Sequence, residues 1–283
     1  MPMSERRVLG LSALGFHAIA YTQWGRDDAP RTVVCMHGLT RNGRDFDHLA
    51  LDLADAYRVV CPDVVGRGRS DRLANPDLYG YPQYLADAAA LIARLDVESV
   101  DWIGTSMGGL VGLMLAAQPK SPIRRLVIND VGPFLPKAAL ERIAGYVGKD
   151  PVFDDIRGVE AYLRLVLMGF GRLSDEEWRH MAEHGARRLP DGRFALAYDP
   201  GIGKAFTAQP LADVDLWPLW DRITCPVLVL RGADSDLLLP ETAVEMTRRG
   251  PKARLVEVPH CGHAPSLMKP EQIAAVRGFL LER

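Results

Sequence analysis

The sequence predicts an α/β fold in which helices wrap a mainly parallel sheet. Two observations carry this. Short apolar runs bounded by turn signals recur with helix-like stretches between them. From Phe134 to about Leu216 strand signals nearly vanish and helical patterns take over, after which strand and helix alternation resumes.

The elements follow in chain order. Phe16 to Tyr21 alternates like a strand, and Arg31 to Met36 reads as a buried strand that ends abruptly in His37-Gly38. Asp47 to Ala56 is an amphipathic helix, followed by a strand over Tyr57 to Cys61 and a glycine-rich turn over 63–70. Tyr81 to Leu95 has leucine and alanine at helical spacing, Val100 to Gly104 is a strand, and Gly108 to Gln118 is apolar on every side. A helix of that last kind belongs in the middle of a fold. Arg125 to Asn129 is the strand that closes this half. Within the helical block, Leu140 to Ile143, Val159 to Gly169 and Ser174 to Arg188 read as three helices, the last opening with the capping box Ser174-x-x-Glu177. Pro226 to Arg231 and Arg254 to Val258 are then strands, and Pro270 to Leu281 a closing amphipathic helix. The expected organisation is a core over residues 1–133 and 217–283, interrupted by a helical cap over 134–216.

Composition excludes several functions. With 34 Lys and Arg against 36 Asp and Glu, the formal charge is −2, so a nucleic-acid partner is not expected. At 283 residues with 48% hydrophobic side chains, the chain can build a core without disulfides. Cys35, Cys61, Cys225 and Cys261 lie far apart without C-x-x-C spacing, which fits buried thiols in a reducing, cytoplasmic setting. Arg6-Arg7 followed by the run from Val8 to Phe16 imitates a secretory leader. His17 breaks the run and no small-residue cleavage pattern precedes Tyr21 to Trp24, so a strand is the better reading. No stretch approaches the ~20 apolar residues that span a bilayer.

Chemistry concentrates at 104–108, where Gly-Thr-Ser-Met-Gly lies between a strand and an apolar helix. Glycines there permit a sharp turn that lifts the Ser106 hydroxyl out at the sheet edge, the context a nucleophile elbow requires. Serine needs a base and a group to orient that base. Candidates follow on loops at strand ends, with aspartates over 234–236 and histidines over 260–263. Loops after the carboxyl ends of parallel strands gather on one edge, so these residues can converge. Backbone amides of Met107 and Leu39 are the candidates for an oxyanion hole.

His-Gly at 37–38, Asp-x-x-Gly-x-Gly-x-Ser at 63–70, the elbow, Asp-x-φ-φ-Pro at 236–240 (φ apolar) and Gly-His-x-Pro at 262–265 together resemble the α/β-hydrolase superfamily. The motifs cover essentially the whole chain in order. The resemblance implies a mostly parallel eight-stranded sheet with a helical cap inserted after the sixth strand. It also implies hydrolysis through a serine-bound acyl intermediate with neither cofactor nor metal.

Within that frame the triad is read as Ser106, His263 and Asp236. The family places its acid about three residues after the glycine ending the strand, whereas Asp234 and Asp236 stand two and four residues after Gly232. Asp236 is preferred because the Asp-x-φ-φ-Pro frame fits it alone, implying one extra residue upstream. Asp234 and Asp130 stay open, because some members take the acid from the end of the sixth strand. His260 is read as structural, and His260-Cys261-x-His263 as too small a set for a metal. His37 is expected to orient the oxyanion loop, Gly66, Gly68 and Ser70 to form a turn, and Arg67 and Arg69 to be solvated or paired. In the cap, Met168, Phe170, Trp178, Met181, Phe194 and Tyr198 are candidates for packing, with a few lining the pocket. No clamp for a strongly anionic substrate stands out. The expected substrate is a small to medium carboxylic ester or lactone. The same motifs also serve C–C bond or enol-lactone hydrolysis, and a ligand-binding receptor could reuse the fold.

Overall fold

The computed structural model describes residues 3–282. Eight strands form its central sheet: β1 (Ser4–Ser12), β2 (Gly15–Trp24), β3 (Thr32–Met36), β4 (Arg58–Pro62), β5 (Val100–Thr105), β6 (Ile123–Asn129), β7 (Val227–Gly232) and β8 (Arg254–Val258). Their spatial order is β1-β2-β4-β3-β5-β6-β7-β8. Pairs β1/β2 and β2/β4 are antiparallel and the remaining neighbours parallel. This is the mostly parallel eight-stranded sheet of the α/β reading.

Successive side chains on a strand point to opposite faces, and here both faces are covered. On β3, Val33 and Cys35 enter the core cluster that also holds Phe46, Leu49, Leu53 and Phe279. Val34 and Met36 enter the larger cluster on the other side. Helix α1 (Asp47–Leu53) and the closing helix Pro270–Leu281 supply the first layer. Helices α2 (Tyr81–Leu95) and α3 (Met107–Ala116) supply the second. The leader-like run forms the β1–β2 hairpin, closed where Ser12 pairs Gly15. Its apolar residues stay exposed, Leu9 and Leu11 on the edge strand β1 and Phe16 at the start of β2, whereas His17 turns inward, its Nε2 bonded to Asp87 of α2 at 3.0 Å.

Between β6 and β7, helices α4 (Lys137–Ala144), α5 (Ile156–Val166) and α6 (Asp175–Gly185) form where the sequence predicts helices. The segment is not purely helical, which corrects that expectation. A three-stranded antiparallel sheet joins Val152–Phe153, Phe194–Leu196 and Ala186–Arg188, so the third helix stops at Gly185 rather than Arg188. Strands of two or three residues are too short to register as an alternating pattern. A ribbon pairing Phe134–Leu135 with Val214–Asp215 joins the segment's two ends.

Candidate active site

Strand β5 gives way to α3 within one residue, and Ser106 makes the turn at φ 52°, ψ −115°. Positive φ is uncommon for any residue but glycine and stores strain. The flanking glycines make the turn possible. A Cβ on Gly104 would lie 2.2 Å from the Gly108 carbonyl oxygen, and one on Gly108 would lie 2.0 Å from that of Met36. Helix and strand therefore pack backbone to backbone, and the Ser106 amide is tied to the Asn129 carbonyl at 2.9 Å.

The Ser106 hydroxyl meets His263 Nε2 at 3.0 Å. His263 Nδ1 in turn meets Asp130 Oδ2 at 2.8 Å. Asp130 follows β6, is wholly buried and sits at φ 55°. Its Oδ1 accepts the Gly232 amide at 2.7 Å, and its Oδ2 also accepts the Ser235 hydroxyl at 2.6 Å.

This corrects the choice of Asp236. Its carboxylate is 50% exposed and engages Arg142 of α4 through Nε and Nη2 instead of approaching His263. Asp234 is exposed, and its backbone amide donates to the Cys261 carbonyl at 2.8 Å. The physical reason lies in the loop. Of 234–236 only the middle residue turns inward, and Ser235 stands three residues after Gly232, the spacing at which the family frame expects the acid. Its hydroxyl donates to an aspartate supplied by the neighbouring strand. The carboxylate beside His263 comes instead from the loop after the neighbouring strand, β6. A serine at that spacing together with an aspartate straight after the sixth strand is the sequence signal for this arrangement.

Leu39 and Met107 border the same cleft as Ser106 and His263. Met107 opens α3, so its amide has no acceptor inside the helix. A Cβ on Gly38 would stand 3.7 Å from that of Ser106, which shows how closely the turn after β3 approaches the serine. His37 shapes that turn: Nδ1–H donates to the Gly38 carbonyl at 2.7 Å and Nε2 accepts the Val64 amide at 2.9 Å. Complete burial pushes His37 down to about 4, which keeps the ring neutral in the tautomer these bonds require.

Arg67, expected to be solvated or paired, is neither. It is 1% exposed and donates from Nε to the Leu39 carbonyl at 2.8 Å and from Nη1 to Val65 O and the Tyr84 hydroxyl. Its Nη2 lies 3.7 Å from Met107 Sδ, and the guanidinium stands 5.0 Å from the centre of the Tyr84 ring. One buried cation thus holds the Leu39 turn against Met107. Arg69 pairs with Glu5.

Both nitrogens of His263 are engaged, His260 is exposed, and burial with nearby Asp130 and Asp234 pushes the Cys261 thiol up to about 12. Cys261 is therefore protonated. A cluster that sequence spacing did not suggest unites Asp47, His180 and His184, with ligand atoms within 4.8 Å of one another. Arg44 already supplies the cation there, holding Asp47 at 2.7 Å and lying 3.4 Å from His184 Nδ1. Burial, with Arg44 second, pushes His184 down to about 4.

The cleft spans about 1010 Å³, counting the solvent at its open mouth, and is walled mainly by apolar groups, among them Leu140, Ile143, Val166, Phe170 and Leu237. Of the aromatic and methionine residues singled out in the segment, Phe170 lines it. Trp178, Met181 and Tyr198 are buried in packing, and Met168 is 72% exposed.

A serine on a strained strand-to-helix turn at the carboxyl edge of an eight-stranded α/β sheet defines the class, and a model of the alpha/beta hydrolase family matches residues 33–276. The chain belongs to that family and is a hydrolase. A 3-hydroxybutyrate-oligomer hydrolase of Cupriavidus necator is 48% identical over 277 residues, covering 95% of this chain and 94% of that protein. A 2-(acetamidomethylene)succinate hydrolase of Mesorhizobium japonicum is 29% identical over 247 residues, with 86% of each chain covered. Among solved structures, an alpha/beta hydrolase from Novosphingobium aromaticivorans superposes with a TM-score of 0.88 at 39% identity, covering 98% of both chains. Among the described residues no helix is long and apolar enough to cross a membrane.

Proposed function

We propose that this hydrolase cleaves small carboxylic esters, oligoesters of short hydroxy acids above all, through an acyl-enzyme formed on Ser106. The observation that carries the reading is the hydrogen-bond chain from Ser106 through His263 to buried Asp130, opening on a largely apolar cleft. The choice among esters draws on the 48% identity to a 3-hydroxybutyrate-oligomer hydrolase.

In this mechanism His263 Nε2 takes the Ser106 proton as the hydroxyl attacks the ester carbonyl, and then passes it to the departing alcohol. Asp130 fixes the ring so that Nδ1 carries hydrogen and Nε2 is the base, and it stabilises the imidazolium that forms. The Leu39 and Met107 amides receive the oxyanion, each such donor contributing about 10²- to 10³-fold to turnover. Water, activated by His263, then releases the acid and restores Ser106. Residues 134–216 act as a cap whose α4 and α5 wall the acyl cleft.

Incubation with the linear dimer of 3-hydroxybutyrate tests the reading, with product acid titrated and a fluorophosphonate probe applied in parallel. Wild type is expected to release monomer and to label, and Ser106→Ala to do neither. Labelling of Ser106→Ala, or an intact dimer alongside cleavage of a C–C bond next to a ketone, would overturn it.

A further inference from the structure

Two arginines line the cleft, and their surroundings differ. Arg41 is spent: Nε and Nη2 donate to Asp45 at 2.9 and 2.6 Å, Nη2 also reaches the Met181 carbonyl, and the side chain is 6% exposed. Arg142, on α4, is 41% exposed, pairs with Asp236 through Nε and Nη2, and also favours the ionised form of the neighbouring Tyr146 hydroxyl. Among the described residues its Nη1 donates to no protein acceptor, although a guanidinium carries five N–H donors in a rigid fork. Apolar Leu140 and Ile143 flank it on the cleft wall, and Tyr146 stands beside it.

We infer that Arg142 is a specificity-determining residue that binds a free carboxylate at the acid end of the substrate, so that the cleft selects anionic oligoesters over neutral ones. The inference rests on the ester reading above and adds to it which esters are chosen. Asp236 is the resident counter-ion. Its pairing with Arg142 joins two half-exposed groups, an interaction that solvent weakens, so a substrate carboxylate can share the guanidinium through Nη1 or displace Asp236. Ser235 and Asp236 thus divide the labour of one loop: Ser235 supports the acid beside His263, and Asp236 neutralises the anchor while the site is empty. A linear hydroxy-acid oligomer suits this arrangement, because it offers an ester for Ser106 and a terminal carboxylate for Arg142.

The test compares kcat/KM for cleavage of the internal ester in the linear 3-hydroxybutyrate dimer and in its methyl ester, the latter read as methyl 3-hydroxybutyrate released, so that the terminal charge is the difference under test. Wild type is expected to favour the acid, less so as salt is raised. Arg142→Gln is expected to lower the acid-to-methyl-ester ratio by about tenfold to a hundredfold, mainly through KM, in line with hydrogen bonds between charged groups. Arg142→Lys should recover part of that ratio. Asp236→Asn should raise it about twofold to fivefold by removing a competing carboxylate of like charge. The double variant Arg142→Gln/Asp236→Asn should remain low, which separates loss of the anchor from repulsion by an orphaned Asp236. An unchanged ratio in Arg142→Gln overturns the assignment. Failure of wild type on both compounds overturns the ester reading and this one with it, a result distinct from hydrolysis that ignores the carboxylate.

Discussion

Asp130 and Asp236 stand on loops at the carboxyl ends of adjacent strands, β6 and β7, and they have opposite surroundings. Asp130 is wholly buried, with its oxygens met by the Gly232 amide, the Ser235 hydroxyl and His263. Asp236 is half exposed and shares its carboxylate with one half-exposed arginine. A buried carboxylate persists only when its lone pairs are satisfied, and such a group holds one geometry, as an acid that orients a histidine must. An exposed pair is free to exchange partners, which suits a counter-ion at a binding cleft. Environment, more than motif frame, separates the two.

The widest gap this comparison predicts is in turnover. Asp130→Asn is expected to lower kcat for the methyl ester by about 10⁴-fold, because an amide at this position favours the wrong His263 tautomer. Asp236→Asn is expected to change the same quantity less than tenfold. Steady-state kinetics on both variants, with circular dichroism to confirm folding, checks the pair; comparable losses would break the comparison.

The same contrast explains what was legible in the sequence. The elbow is a local feature, since its glycines, strand and helix are contiguous, and Ser106 could be read directly. Tyr81–Leu95 and Pro270–Leu281 have the bounds their periodicity suggests for the same reason. The acid was legible only as a choice among Asp236, Asp234 and Asp130, because whether an aspartate on a strand-end loop turns inward depends on pairing with the next strand. Here Asp130 adopts positive φ and receives the Gly232 amide from β7. Arg67 was misread for a related reason: its acceptors on Leu39, Val65 and Tyr84 come from separate stretches of chain. Buried cations announce themselves only once such partners are brought together.

A smaller effect sharpens the rule that burial sets behaviour. Burial holds His37 at about 4, against an ordinary value of about 6.5. As pH falls, the unfolded chain therefore takes up the proton first, and stability is lost between about 6.5 and 4. Urea unfolding at pH 7 and 4.5 should show wild type losing about 2 to 3 kcal/mol more than His37→Gln over that interval. Equal losses would mean that the folded chain protonates His37 as readily as the unfolded chain, against the burial and the Val64 amide bond to Nε2 that favour the neutral ring.

The smallest effect tests the loop that carries both behaviours. Ser235→Ala removes one hydrogen bond to Asp130 and leaves that from the Gly232 amide. It also deprives the Leu237 and Leu238 amides of the oxygen they approach at 3.3 and 3.2 Å. One buried hydrogen bond to a charged group is worth about 1.5 kcal/mol or more, so kcat should fall about tenfold. KM for the dimer should stay near its wild-type value, because Asp236 and Arg142 remain in place. A rise in KM with kcat preserved would reverse the division of labour within the loop, making Ser235 a support for the anchor and leaving the Gly232 amide to hold the acid.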